Sequence, residues 1–180
     1  MRRTLVICCV IAILGAGTML RAVESLRIVP LVRDGEVLVS FALVDVYTDD
    51  VRDVIASGLR TTFTYDLELR MIVPLWVDRT VATSVVMISD QYDTLTRRHS
   101  LERTIDGRTV ETVVTEDDEV VRLWLTRWDR LPLSRTSTLV PNREYYVRVR
   151  AQGRPYGGLL LGWTKVITGE VKFTFVPQGF

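Results

Sequence analysis

Apolar and polar residues alternate along residues 58–71, which read GLRTTFTYDLELRM. From Leu59 to Met71, nearly every odd position is apolar and every even position is polar. A period of two places the apolar side chains on one face of a β-strand. At ~3.3 Å per residue this strand would span about 43 Å, which exceeds the usual length. We therefore expect a long strand that bends or contributes to two sheets.

Further strands are predicted from shorter apolar patterns and from the turn residues between them. Asp34-Gly35 and Asp106-Gly107 adopt positive φ at low cost, so each predicts the turn of a β-hairpin. The predicted strands cover residues 25–32, 36–46, 59–71, 81–89, 95–105, 108–115, 144–151 and 170–176, with a turn at residues 90–93. Residues 81–89 are apolar on both faces and are expected at the centre of a sheet.

Two segments have helical periodicity. Residues 48–58 carry apolar side chains at helical spacing, with N-cap residues at their start and Gly58 at the C′ position. Residues 116–128 are expected to form a second helix that Pro132 stops. Its apolar stripe would consist of Val120, Val121, Trp124, Leu125 and Trp128. The sequence thus predicts a mainly β fold: an antiparallel β-sandwich, immunoglobulin-like or with strongly curved sheets, covered by two short helices.

The first 22 residues form a separate segment. Arg2 and Arg3 precede an uninterrupted apolar run at residues 5–20. This pattern is typical of a signal peptide or of a short N-terminal membrane anchor, with residues 4–20 as the tether. We therefore expect an extracytoplasmic, periplasmic protein that is either secreted or anchored to the inner membrane. Residues 26–176 are expected to form a single domain.

Composition excludes several classes of function. Cys8 and Cys9 both lie in the apolar run, so residues 26–176 contain no cysteine for a disulfide, a nucleophile or a metal site. Without residues 1–22, 20 basic residues face 22 acidic ones, a formal charge of −2. This near-neutral balance gives no electrostatic reason to expect a nucleic-acid partner.

The sequence contains no recognisable catalytic set. It lacks the Gly-x-Ser-x-Gly, phosphate-loop and dinucleotide patterns, so no cofactor is expected. His99 is the only histidine and is predicted to be a partly exposed strand residue. A single histidine without clustered acids also argues against a metal site. We therefore expect a protein that is not an enzyme, with a hydrolase that uses His99 and an acid such as Asp93 as the less favoured alternative.

An apolar, glycine-rich stretch at residues 153–164 is the strongest functional feature of the sequence. Such a stretch is costly to expose, so it should pack on the domain itself, on a partner or on a membrane surface. The candidate partner or ligand contacts are Tyr156, Leu159, Leu160, Leu161 and Trp163. The first hypothesis is a non-enzymatic module that binds another envelope protein. The second is a carrier whose sheet and tryptophan stripe, Trp124 and Trp128, enclose a lipid or another small apolar ligand.

Arginines recur along the predicted strands, at positions that include 97, 98, 103, 108, 148, 150 and 154. They are interspersed with Glu102, Glu111 and Glu144, so cross-strand ion pairs are favoured over one basic face.

Several motifs resemble a bacterial family known as domain of unknown function 4390. They are a short helix ending in glycine, a long aromatic strand, a Tyr-Asp-x-Leu-Thr turn and a late Pro-x-x-x-Tyr-x-Val-Arg strand. The corresponding residues are 51–58, then Leu59, Phe63, Tyr65 and Leu67, then 92–96, and finally Pro141, Tyr145, Val147 and Arg148. The resemblance covers residues 26–176 and implies an exported protein without an assigned activity. It also implies a link to sensor-kinase genes in some bacteria, and hence a role in envelope signalling.

Overall fold

A computed structural model describes residues 26–44, 46–155 and 166–177, with only the backbone described at residues 154 and 155. These residues contain nine strands: β1 Leu26–Arg33, β2 Glu36–Leu43, β3 Thr61–Met71, β4 Arg79–Asp93, β5 Arg98–Ile105, β6 Arg108–Thr115, β7 Arg127–Arg135, β8 Arg143–Pro155 and β9 Ile167–Phe175. The helices are α1 Asp49–Ala56 and α2 Asp118–Thr126, and a short 3-10 helix covers Thr136–Thr138. Among the described residues, none of the helices is both long and apolar enough to cross a bilayer.

The strands form two antiparallel sheets. The larger sheet has the order β6-β5-β4-β3-β8-β9, and the smaller has the order β1-β2-β7. The smaller sheet packs on one face of the larger one, with β1 beside β9 and β7 against β3 and β4. Both helices contact β4. This arrangement confirms the prediction of a mainly β, sandwich-like fold with two helices.

The alternating strand β3 is the centre of the core. Its side chains at Phe63, Tyr65, Leu67 and Leu69 are buried, while the polar residues between them are only partly buried on the other face. β4 pairs along one edge of β3 and β8 along the other, so every backbone position of the strand has a neighbour. The Phe41 ring of β2 lies 4.7 Å from the Tyr65 ring, which joins the two sheets.

The predicted turn residues lie where positive φ is required. Asp34 and Gly35 have φ of 52° and 80°, and Asp106 and Gly107 have φ of 49° and 78°, as expected for the preferred two-residue hairpin turns. Gly58 ends the α1 segment at φ 81°, and its N–H donates to the Ile55 carbonyl at 2.9 Å. Local sequence therefore determines these turns without help from the rest of the fold.

Close packing of the two sheets is most evident at Gly169 on β9. A Cβ atom at this position would lie 3.1 Å from Ile28 Cδ1 and 3.3 Å from Leu26 Cδ2 of β1. Such separations are shorter than ordinary van der Waals contacts, so the small sheet approaches β9 closely only because this residue has no side chain.

The prediction of one helix over residues 116–128 was wrong at its C-terminal end. α2 ends at Thr126, and Trp128 lies on β7, where it pairs with Phe41 of β2. Pro132 lies inside β7, opposite Leu38 and next to a register shift; β7 is an edge strand, where proline is tolerated. The sequence prediction missed β7 because backbone pairing with β2 overrides the helical apolar spacing. Val120, assigned to the apolar stripe, is 37% exposed.

The predicted turn at residues 90–93 was also wrong. β4 continues to Asp93, and the chain turns at residues 94–97 before β5 begins. The central position predicted for this strand is confirmed, but Val85 and Met87 are 42% and 39% exposed, so only one face of β4 is buried. Asp90 can lie buried inside the strand because its carboxylate has a side-chain partner in His99.

Candidate functional site

A cleft of about 590 Å³ opens at the end of the large sheet where β4 ends and β5 begins. Residues from α1, from the turn after β4 and from the start of α2 surround it. The lining residues are Tyr47, Arg52, Asp53, Ile55, Ala56, Tyr92, Arg97, His99, Glu116 and Asp118. These residues are separated by up to 71 positions in sequence, so the cleft is formed by tertiary packing.

His99, which lines the cleft, belongs to a buried His–Asp pair beneath it. His99 Nδ1 lies 2.8 Å from Asp90 Oδ2, and the two residues are 5% and 1% exposed. The Tyr92 ring packs on the imidazole with its centroid 4.6 Å away. His99 was predicted to be partly exposed, and this prediction was wrong because the helices cover this end of the sheet.

Strand pairing places these side chains together. In the register of β4 and β5, Tyr92 lies opposite His99 and Asp90 lies opposite Leu101. Asp90 and His99 are therefore diagonal neighbours on one face of the sheet, within reach of each other's side chains. The same register moves Asp93 away from the histidine. Asp93 instead accepts hydrogen bonds from the N–H groups of Leu95 and Thr96, which stabilise the turn.

The second imidazole nitrogen is on the opposite edge of the ring, toward α2. His99 Nε2 lies 3.5 Å from Asp118 Oδ1, a separation longer than an ordinary hydrogen bond. The Asp118 side chain is 80% exposed. Asp117, the N-cap of α2, accepts hydrogen bonds from the N–H groups of Glu119 and Val120 and so fixes the first turn that carries Asp118.

Burial and charge change the acidity of two groups here. Burial raises the pKa of the Asp90 carboxyl, although the hydrogen bond and the positive charge available from His99 oppose this rise. Burial, followed by the charges of Asp118 and Asp90, raises the pKa of Tyr47 to about 12. The Tyr47 hydroxyl therefore keeps its proton at neutral pH.

Within the described residues, the cleft is lined by no Ser, Thr or Cys, so it offers His99 without a neighbouring hydroxyl of Ser or Thr or a thiol. Nor does any group of three or more His, Cys, Asp or Glu there have the arrangement of a metal site. The hydrolase alternative paired His99 with an acid such as Asp93. In the structure the acid that contacts His99 is Asp90.

The two tryptophans assigned to a lipid-enclosing stripe contact an arginine. The Arg103 guanidinium lies 3.9 Å from the Trp124 ring centroid and 4.8 Å from that of Trp128. It also donates to the main-chain carbonyls of Trp124, in the last turn of α2, and of Arg127, just after the helix, at 3.2 and 2.8 Å. A charged group thus occupies the place that the carrier hypothesis gives to an apolar ligand.

Cross-strand ion pairs account for several of the strand arginines, as predicted. Arg103 pairs with Glu111 at 3.2 Å across β5 and β6. Arg148 of β8 pairs with Glu170 of β9 and lies 3.6 Å from Glu68 of β3.

An exposed apolar tip lies at the far end of the sheet, in the connection between β3 and β4. Leu75, Trp76 and Val77 form this tip and are 103%, 81% and 73% exposed. Leu75 has φ of 63°, a left-handed conformation that is costly for a branched side chain. The sequence prediction did not select these residues, although three consecutive apolar residues after Pro74 were a visible signal. The candidate contacts that it did select, Tyr156, Leu159, Leu160, Leu161 and Trp163, lie outside the described residues.

Comparison with known proteins places this fold in a family. A family model described as Domain of unknown function (DUF4390) matches residues 22–154, about three quarters of the chain. The chain belongs to this family. The DUF4390 match extends from just before β1 into β8, and therefore includes both the cleft and the apolar tip. Comparison with curated proteins and with solved structures gives no match.

Proposed function

We propose that this DUF4390 domain is a non-enzymatic interaction module of the bacterial cell envelope that binds another protein through its apolar tip. The observation that carries the proposal is the near-complete exposure of Leu75, Trp76 and Val77. Contiguous exposed apolar residues at one end of a domain are typical of binding sites, and tryptophan is enriched among the residues that dominate binding energy.

The tip is held in one conformation by hydrogen bonds at its base. Trp76 N–H donates to the Val73 carbonyl at 3.1 Å, and Val73 N–H donates to Asp78 Oδ1 at 3.2 Å. Arg70 donates to the Asp78 carbonyl at 3.0 Å. A tip ordered before binding loses less conformational entropy in a complex, which favours affinity. The left-handed Leu75 fits this interpretation, because backbone strain accumulates at functional positions.

The charges around the tip support a protein partner over a membrane surface. Asp78 and Arg79 follow the tip, and Arg143 and Glu144 begin the neighbouring strand, where the Glu144 carbonyl accepts from Ile72 N–H. These four residues carry two positive and two negative charges, and Arg70 adds one more positive charge at the base of the tip. Membrane-binding tips commonly carry an excess of Lys and Arg, whereas a mixed polar rim around an apolar centre is typical of protein interfaces.

Site-specific photo-crosslinking in cells tests the proposal. A photoreactive residue at position 76 should give a discrete protein adduct that Leu75→Ser reduces. The matched control is position 110, since Val110 is 51% exposed but lies on the edge strand β6, outside both the tip and the residues that line the cleft. The extracytoplasmic part of a sensor kinase is the first partner to examine. Equal labelling at both positions, or recovery of lipid adducts alone, would contradict the proposal.

Neither alternative function has comparable support. An apolar-ligand carrier needs an apolar enclosed space, whereas the cleft is lined by charged residues and Arg103 covers the tryptophan faces. A hydrolase of the Ser–His–Asp type would need a Ser, Thr or Cys beside His99, and the described lining of the cleft has none.

A further inference from the structure

We infer that the cleft above His99 is a binding site for a guanidinium or ammonium group. The inference is independent of the proposed function, because the cleft and the apolar tip lie at opposite ends of β4. Fifteen residues of strand, at ~3.3 Å each, separate them by roughly 45 Å. An experiment that contradicts one proposal therefore does not contradict the other.

The hydrogen-bonding capacity of His99 defines the chemistry of the ligand. Its Nδ1 lies against the buried Asp90 carboxylate, which fixes the proton of a neutral imidazole on Nδ1. The remaining nitrogen, Nε2, is then an acceptor on an almost fully buried ring that lines the cleft. Asp118 Oδ1, a second acceptor, is 3.5 Å from it. Two adjacent acceptors without a donor between them match a ligand that has at least two N–H donors.

The charge of the cleft indicates that the donor is a cation. In the described part of the chain, Arg52 pairs with Asp49 and Arg98 pairs with Glu116. With those pairs formed, Asp53 and Asp118 remain among the lining acids and Arg97 among the lining bases, while the Asp90 carboxylate lies beneath the lining, against His99. The lining thus has an excess of one negative charge when His99 is neutral, and the buried Asp90 carboxylate beneath it adds to the negative potential.

The shape and the walls of the cleft fit the same ligand. The rings of Tyr47 and Tyr92 form part of its lining, and tyrosine faces attract guanidinium and ammonium groups. A volume of about 590 Å³ admits an arginine side chain or a free diamine with water to spare. The same chemistry could therefore come from a basic side chain of a partner or from a small free amine.

The single histidine of the sequence gives the test a specific reporter. Imidazole signals of His99 in the full chain, prepared without a histidine tag, would be followed by NMR at about pH 8, above the ordinary range of histidine titration. The probes are agmatine, N-acetyl-arginine methylamide and the neutral N-acetyl-citrulline methylamide. We expect a saturable shift with one or both cations and none with citrulline. Preference for the arginine amide would identify a partner side chain, whereas equal binding of agmatine would identify a free amine.

A pair of variants tests whether the Asp118 carboxylate of the cleft contributes to binding. Asp118→Asn should weaken binding about tenfold or more, the effect of losing one charge-assisted hydrogen bond. Asp34→Asn is the control, since Asp34 is 85% exposed but lies in the first hairpin turn. The inference is overturned if the cations leave the His99 signals unchanged, if citrulline shifts them equally, or if both variants bind as the unmodified chain does.

Discussion

Replacing Tyr65 with phenylalanine tests how the large sheet and α2 are connected. The Tyr65 side chain is fully buried, and its hydroxyl donates to the Leu125 carbonyl at 2.6 Å. Leu125 is the second-last residue of α2, so its carbonyl has no partner within the helix. Burial also raises the pKa of Tyr65 far above its usual value, so the hydroxyl keeps its proton and remains a donor at neutral pH.

The structure gives the magnitude of the effect. Tyr65→Phe leaves a buried carbonyl without a donor, which costs about 1–3 kcal/mol in the free energy of unfolding. For a chain of this size, each kcal/mol lowers Tm by about 2–4 °C. Urea unfolding and thermal scans followed by circular dichroism would measure both quantities.

The control for this variant is Tyr146→Phe. Tyr146 lies on the opposite face of the same sheet, with the Arg148 guanidinium 5.3 Å from its ring. We expect the control to change stability by no more than ~0.5 kcal/mol. If Tyr65→Phe were no more destabilising than the control, the proposed connection between the sheet and α2 would be refuted.

Three further predictions concern packing, capping and ionisation. Gly169→Ala should lower the free energy of unfolding by about 1–2 kcal/mol, because the added methyl overpacks against Ile28. Adding Ile28→Val to this variant should recover part of the lost stability, as measured by a double-mutant cycle of urea unfolding. Asp117→Ala should cost about 1 kcal/mol by removing the N-cap of α2, whereas Asp117→Ser should retain most of the stability; a similar loss in both variants would contradict a capping role. Tyr47→Phe should remove from the ultraviolet titration a tyrosine that ionises near pH 12 instead of 10. Because the unfolded chain loses this proton first, Tyr47 makes stability fall as the pH rises between these two values, and the Phe variant should lose that part of the decline.

The candidate site was only partly predictable from the sequence. His99 stood out as the single histidine, but its burial and its acid partner depend on strand register. Asp93 is six positions from His99 and Asp90 is nine, and nothing local distinguishes them. A prediction that continued the strand to Asp93 would have placed Asp90 and Tyr92 on the same face as the buried Val86 and Ile88.

The exposure of the apolar tip was not predictable from composition. Leu75, Trp76 and Val77 are apolar, and composition alone would place such residues in the core. The pairing of β3 with β4 fixes them at a hairpin end beyond the last pair, Met71 with Arg79, where no other described element covers them. Their exposure follows from topology.

The sequence by itself determined the features that depend on neighbouring residues. The period of β3, the Asp-Gly turns and the glycine after α1 are all local, because a few residues suffice to select their φ and ψ values. Tertiary structure decided which strands pair and in which register. It converted the end of the predicted second helix into β7, because Trp128 and its neighbours gain backbone pairing with β2 that a helix would not provide. It also brought His99 and Asp90 together under α2, since diagonal contacts across a sheet depend on register, which no local pattern encodes.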